Sequence, residues 1–176
     1  MDNIAKPYKL APKNARAGSE HPDHPVSNLI DGDVSKENFF ATADGSMPSE
    51  AWISIELEKT KLVWRIIFVN GDDAEGKKLL NINVHVGDQE ISKTSSANNT
   101  ENKGLEPNNE MCGSYTGKPP ISKGDVLIMD CKEDVTGKYV KITKDGVRSG
   151  LNIKEIELFG TGSVQFDFCI HSFMNV

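Results

Sequence analysis

Hydrophobic and polar positions alternate along much of this chain, with a period of two. Trp52-Ile53-Ser54-Ile55-Glu56-Leu57 largely alternates, the mark of a half-buried strand. Val63 to Val69 is a denser apolar run, suited to a central strand, and Asn81-Ile82-Asn83-Val84-His85-Val86 alternates again. Val126 to Met129, Tyr139 to Ile142 and Ile153 to Phe159 complete the set. The segments between them are rich in Gly, Asn, Asp and Pro, the residues of turns. No helical periodicity is sustained beyond about two turns. Short strands joined by long loops predict an all-β fold, an antiparallel β-sandwich or jelly roll.

Two segments stand apart. Ser92 to Asn109 is polar and asparagine-rich and reads as a solvated loop. Thr161 to Val176 is apolar for a tail, with Val164, Phe166, Phe168, Ile170, Phe173, Met174 and Val176. It suits a strand added to the sandwich, a partner-binding segment, or a remnant foreign to the natural chain, and the sequence leaves all three open. With 176 residues the chain is expected to form one domain, residues 8–160, followed by this tail at 161–176.

Charge and composition narrow the function classes. A net charge of -6 with no basic face argues against nucleic-acid binding. No run of 18 apolar residues is present, so no transmembrane segment is expected. There is no Gly-x-Ser-x-Gly and no His-Glu-x-x-His, and His21 and His24 are each followed by proline, which opposes a helical ligand pair. An enzyme is therefore not expected. No secretory signal precedes Asp2, so the chain is either cytosolic or begins as a mature form. Of three cysteines, Cys112 and Cys131 flank a segment rich in Gly and Pro that suits a disulfide-closed loop, while Cys169 is left over. Three free thiols would fit the spacing equally.

Asn28-Leu29-Ile30-Asp31-Gly32-Asp33 places several oxygen donors around one glycine, and Lys154-Glu155 lies far downstream. Calcium takes six to eight oxygens in a flexible cage. Asn28, Asp31, Asp33, a loop oxygen near Thr42, the Lys154 carbonyl and the Glu155 carboxylate would supply one. The spacing is not that of an EF-hand loop, and a simple Asp-capped turn explains the first segment as well. A second cluster comprises Glu20, His21 and His24 on one loop and Asp73 and Lys78 on another. Such donors and acceptors can bridge sugar hydroxyls. A solvated hairpin and a Pro-punctuated surface loop account for the same residues.

In combination these segments resemble the F-type lectins, the fucose-binding family that shares its jelly roll with discoidin-like coagulation-factor C domains. The resemblance runs from about Tyr8 to Gly160. It rests on Glu20-His21 with Ser27 to Asp33, then Asn38-Phe39-Phe40 leading to Trp52, then Val69 to Asp73 with Gly76 and Lys78. Cys112-Gly113 with Cys131, Gly137 to Ile142 and Leu151 to Leu158 follow in order. It implies an extracellular carbohydrate-binding module with a structural calcium held by Asn28, Asp31, Asp33, Thr42, Lys154 and Glu155. It also implies a Cys112–Cys131 disulfide. The sugar would be held by Glu20, His21, Asp44, Asp73 and Lys78, and the partners would be glycans or glycoproteins. The chain departs from the family's fucose motif. Gly71 stands at its first arginine, Asp44 at or near its histidine, and Ala74-Glu75 at its adjacent cysteine pair. A divergent or weakened fucose site is therefore expected. The alternative is a protein-binding domain that has lost sugar binding, with a partner or a second copy engaged through the tail.

Overall fold

The computed structural model describes residues 7–44, 46, 50–71, 79–90, 109–118, 121–145 and 150–161. Eight strands follow in chain order: β1 (Pro7–Leu10), β2 (Pro12–Ala17), β3 (Phe40–Ala41), β4 (Trp52–Asn70), β5 (Ile82–Gly87), β6 (Glu110–Tyr115), β7 (Val126–Lys144) and β8 (Asn152–Thr161). One 3-10 turn, Val26–Leu29, precedes β3, and no α-helix occurs among the described residues. Every strand pairing is antiparallel, along the path β1-β8-β4-β7-β5-β6. The all-β expectation holds.

The sequence pattern suggests two strands within 52–69 and two within 126–142, whereas the structure contains one 19-residue strand in each region. The polar stretch Glu58-Lys59-Thr60-Lys61 is not a turn. There β4 bulges against β7, with Glu56 opposite Tyr139 and Lys61 opposite Gly137. A bulge bends and twists a strand. Both long strands change partners across it. The first half of β4 pairs with β2 and the second half of β7; its second half pairs with β8 and the first half of β7. One hydrogen-bonded path thus wraps into two layers, a jelly-roll arrangement.

The core lies between the layers and collects the inward positions of the alternating strands. Ile53, Ile55, Ile66 and Phe68 of β4, Val84 and Val86 of β5, Val140 and Ile142 of β7, and Ile153 and Leu158 of β8 are fully buried. Leu29 and Phe40, also fully buried, anchor the 3-10 turn and β3 on this core. They hold the loops of one end of the sandwich in place.

Candidate functional site

The acidic loop and β8 meet as the sequence suggests. The Oε2 of Glu155 accepts the Gly32 N–H at 3.1 Å, from 123 positions away. Glu155 is only 3% exposed, and burial pushes its carboxyl up to about 7. The Gly32 N–H opposes that shift and the nearby charge of Asp31 adds to it. Two carboxylates thus face one loop, and one of them is buried. The turn reading holds alongside: Asp31 Oδ1 accepts the Asp33 N–H at 2.9 Å, and Asp33 Oδ1 accepts the Ser35 N–H at 2.8 Å.

Asn38, which is not among the predicted ligands, braces this loop, and the predicted ligands Asn28, Lys154 and Thr42 make bonds of their own. The Asn38 amide donates to both Asp31 oxygens at 3.1 and 2.9 Å and to the Asp33 carbonyl at 3.0 Å. The Asn28 amide nitrogen donates to the Phe39 carbonyl at 3.1 Å, and the Lys154 ammonium to the Val34 carbonyl at 3.3 Å. Thr42 is buried, with its hydroxyl accepting the Leu151 N–H at 3.1 Å. No group of three or more His, Cys, Asp and Glu converges as a metal cluster among the described residues. The expected donor set, the carboxyl groups of Asp31, Asp33 and Glu155 with neutral amide, hydroxyl and carbonyl oxygens, is of the kind a hard cation accepts. Gly32 shapes the loop with φ 81, and open space surrounds its missing side chain. Gly32→Ala should therefore destabilise through backbone strain alone, by about 1–2 kcal/mol. Urea unfolding with chelator present measures this.

Of the predicted sugar contacts, Glu20, His21 and Asp44 are among the described residues, on segments that meet beside Ala41. The His21 N–H donates to the Ala41 carbonyl at 2.8 Å, and the Ala41 N–H to the His24 carbonyl at 3.2 Å. Ala41 pairs with Asn152, whose side chain lies beside Gly71. This row carries the loop of Glu20 and His21, the segment leading to exposed Asp44, and the strand end that leads to Asp73 and Lys78. Asp73 and Lys78 themselves lie outside the described residues. Glu20 braces its own loop by accepting the Val26 N–H at 2.9 Å. His24 stacks on Phe39 at 3.8 Å, and the His21 ring lies 5.3 Å from that of His24.

Sequence reasoning missed Asn152 and Lys144. Asn152 opens β8 and is 2% exposed; Lys144 is 5% exposed and donates to the Gly150 carbonyl at 3.0 Å. No periodicity marks an asparagine at a strand start, so no sequence signal was available. The placement of Asn152 has a consequence for Gly71, where a Cβ would overlap the Asn152 amide oxygen. Gly71→Arg should cost about 1–3 kcal/mol as overpacking. Thermal melts of that variant, and of one that also carries Asn152→Gly, report whether Asn152 is the obstruction.

The Cys112–Cys131 disulfide is present and links β6 to β7. A family profile described as F5/F8 type C, NedA-like, galactose-binding domain matches residues 28–142. The chain belongs to this family. Solved structures agree on the fold of this galactose-binding-domain protein. A family 32 carbohydrate-binding module from C. perfringens NanJ, solved with galactose, is 17% identical, with a TM-score of 0.63 over 88% of this chain and 99% of that one. A fucolectin from striped bass (Morone saxatilis) serum is 22% identical, with a TM-score of 0.65 over 86% of this chain; the match spans 49% of the bass chain. A Streptococcus pneumoniae fucose-binding module is 18% identical, with a TM-score of 0.60, over 86% of this chain and 96% of that one. A comparison with curated protein sequences finds no match. No helix of the described residues is long and apolar enough to cross a membrane.

Proposed function

We propose that this chain is an extracellular, calcium-stabilised carbohydrate-binding module whose sugar site departs from the fucose motif of the F-type lectins. The observation that supports the reading is the row His21–Ala41–Asn152–Gly71, which brings the loop of Glu20 and His21, the segment before Asp44 and the end of β4 side by side. Glu20 and His21 approach the sugar from one loop and Asp44 from the next. Asp73 and Lys78 follow Gly71, with Asp73 orienting Lys78 and Lys78 donating to sugar oxygens. The loop of Asn28, Asp31 and Asp33, with Thr42, the Lys154 carbonyl and Glu155, holds a calcium ion that fixes the adjoining rim. The chemistry such an ion supplies is structural: it neutralises the paired carboxylates and ties the 28–33 loop to β8.

Galactose-configured glycans are the first candidates, in keeping with the family and with the galactose-bound NanJ module. Fucose is disfavoured because Gly71 has no side-chain donor and Asn152 closes the space beside it. A lost charged donor weakens binding by about 1.5–3 kcal/mol, roughly tenfold to a hundredfold. A glycan array in calcium buffer should therefore show galactose- or N-acetylgalactosamine-terminated ligands ahead of α-L-fucose. High-affinity binding of simple α-L-fucosides would defeat the divergent-site reading. Silence across the array would defeat the lectin reading itself.

A further inference from the structure

A lysine is buried on the outward face of the layer that contains β5 and the second half of β7. Lys141 is 0% exposed, and lysine is almost never fully buried unless it is paired. Its chain neighbours Val140 and Ile142 point into the core, so Lys141 points away from it. In register it lies between Ser54 of β4, itself buried, and His85 of β5. Its Nζ donates to the Oδ1 of Asn109 at 2.8 Å. Asn109 immediately precedes β6, and β5 lies between β6 and β7. The lysine stem therefore crosses over β5. Gly87, two positions after His85 and on the same face, puts no side chain in its way.

This arrangement holds an amine against a carboxamide in a place shielded from water. Burial disfavours the charged form of a lysine, and the neutral amine is a nucleophile. The oxygen that accepts the Nζ bond is attached to the carbon an amine would attack. A small rotation of the Asn109 amide brings Nζ to Cγ at a reacting distance of about 3–3.5 Å. His85 adds a group that can move a proton. It lies opposite Lys141, and its Nδ1 is buried with no hydrogen-bond partner among the described residues. Burial holds the His85 imidazole below its usual range, the Lys141 charge adds to that, and Asp145 opposes it. His85 is therefore neutral at pH 7, with one ring nitrogen able to accept a proton.

We propose that Lys141 and Asn109 join in an intramolecular isopeptide bond, with His85 as the proton carrier. His85 takes one proton from the Lys141 ammonium. The freed electron pair forms a bond from Nζ to Cγ of Asn109, and the carbonyl pair moves to Oδ1. When that pair returns, the Cγ–Nδ2 bond breaks. Nδ2 takes the proton held by His85 and the second proton of Nζ, and leaves as ammonium. One amide and one ammonium ion replace one ammonium side chain and one carboxamide, so atoms and charge balance. The bond spans 32 positions and ties the start of β6 to β7, which the Cys112–Cys131 disulfide already joins at a second place. This modification is independent of the glycan reading.

Denaturing mass spectrometry of the reduced full-length protein tests it. The parent should weigh one ammonia less than its sequence, and trypsin should release a branched peptide that joins Asn109 to Lys141. Lys141→Arg and Asn109→Ala should each restore the full mass, whether or not they fold as well. His85→Gln, shown to be folded by circular dichroism, should slow the appearance of the branched peptide during cell-free synthesis by about a hundredfold or more, the usual contribution of a positioned acid–base group. A parent at full mass, with Lys141 open to trypsin, overturns the proposal and leaves a hydrogen bond. An ammonia loss that maps elsewhere, as to a succinimide at Asn70–Gly71, overturns it too. Formation at the parent rate in the His85 variant overturns the mechanism as written.

Discussion

Removing calcium should lower the melting temperature of this protein by roughly 10 °C. An ion that binds only the folded state stabilises it by about 3–4 kcal/mol when present at 100 to 1,000 times its dissociation constant. For a domain of this size each kcal/mol moves the midpoint by about 2–4 °C. The prediction rests on geometry: a Glu155 carboxylate 3% exposed, bonded to the Gly32 N–H and close to the Asp31 charge. Without a cation, burial and that charge favour the protonated acid, which holds the Glu155 carboxyl near 7. The sign follows. A carboxyl raised in the folded state contributes stability that is present below its unfolded value and lost as pH rises through about 7. The chelated protein should therefore weaken from pH 6 to pH 8. A bound cation favours the ionised form, so the gap between calcium and chelator should widen over the same range. Glu155→Gln should abolish the gap. Superimposable melts with calcium and with chelator at pH 8 would remove the ion from the description.

What was legible in the sequence follows from which forces leave a periodic trace. Strands that bury one face write period-two patterns, so β5, β8 and the apolar halves of β4 and β7 could be read directly. The continuity of β4 and β7 could not. At Glu58–Lys61 the strand is largely exposed while it crosses between layers, and its polar residues imitate a turn. β2 escaped notice because only Ala15 of its six residues is buried. β6 escaped because its register shifts between Val84 and His85 of its partner. β3 is two residues long, too short for any period, although buried Phe40 makes it the anchor of the rim.

The site divides in the same way. Acidic residues around a glycine are visible as composition, and the structure joins that loop to Glu155. Long-range closeness is not visible, which is why Asn152 beside Gly71 carries no sequence mark although it decides whether position 71 can hold a side chain. Asp73 and Lys78 lie outside the described residues, so their role rests on the pattern of the resemblance.

Replacing both Cys112 and Cys131 with Ala should cost about 3 kcal/mol, since the bond closes a loop across a separation of 19 residues. By the same scaling the melting point should fall by roughly 6–12 °C. Cys112 is fully buried, and alanine leaves no polar atom to be stranded there. The effect should reach the rim as well. The loop that the disulfide closes contains Ser122–Asp125, whose backbone holds the start of the candidate site. The Asn70 N–H donates to the Asp125 carbonyl at 2.9 Å, the Asn70 amide to the Ser122 carbonyl at 2.9 Å, and the Gly124 N–H to the Gly71 carbonyl at 3.1 Å. A loop freed at Cys131 braces Gly71 less well, so glycan affinity should fall along with stability, measured at a temperature where the variant remains folded. A variant that melts lower but binds unchanged would separate the staple from the site. One that melts within about 2 °C of the parent would show that native packing, and not the cross-link, holds β6 against β7.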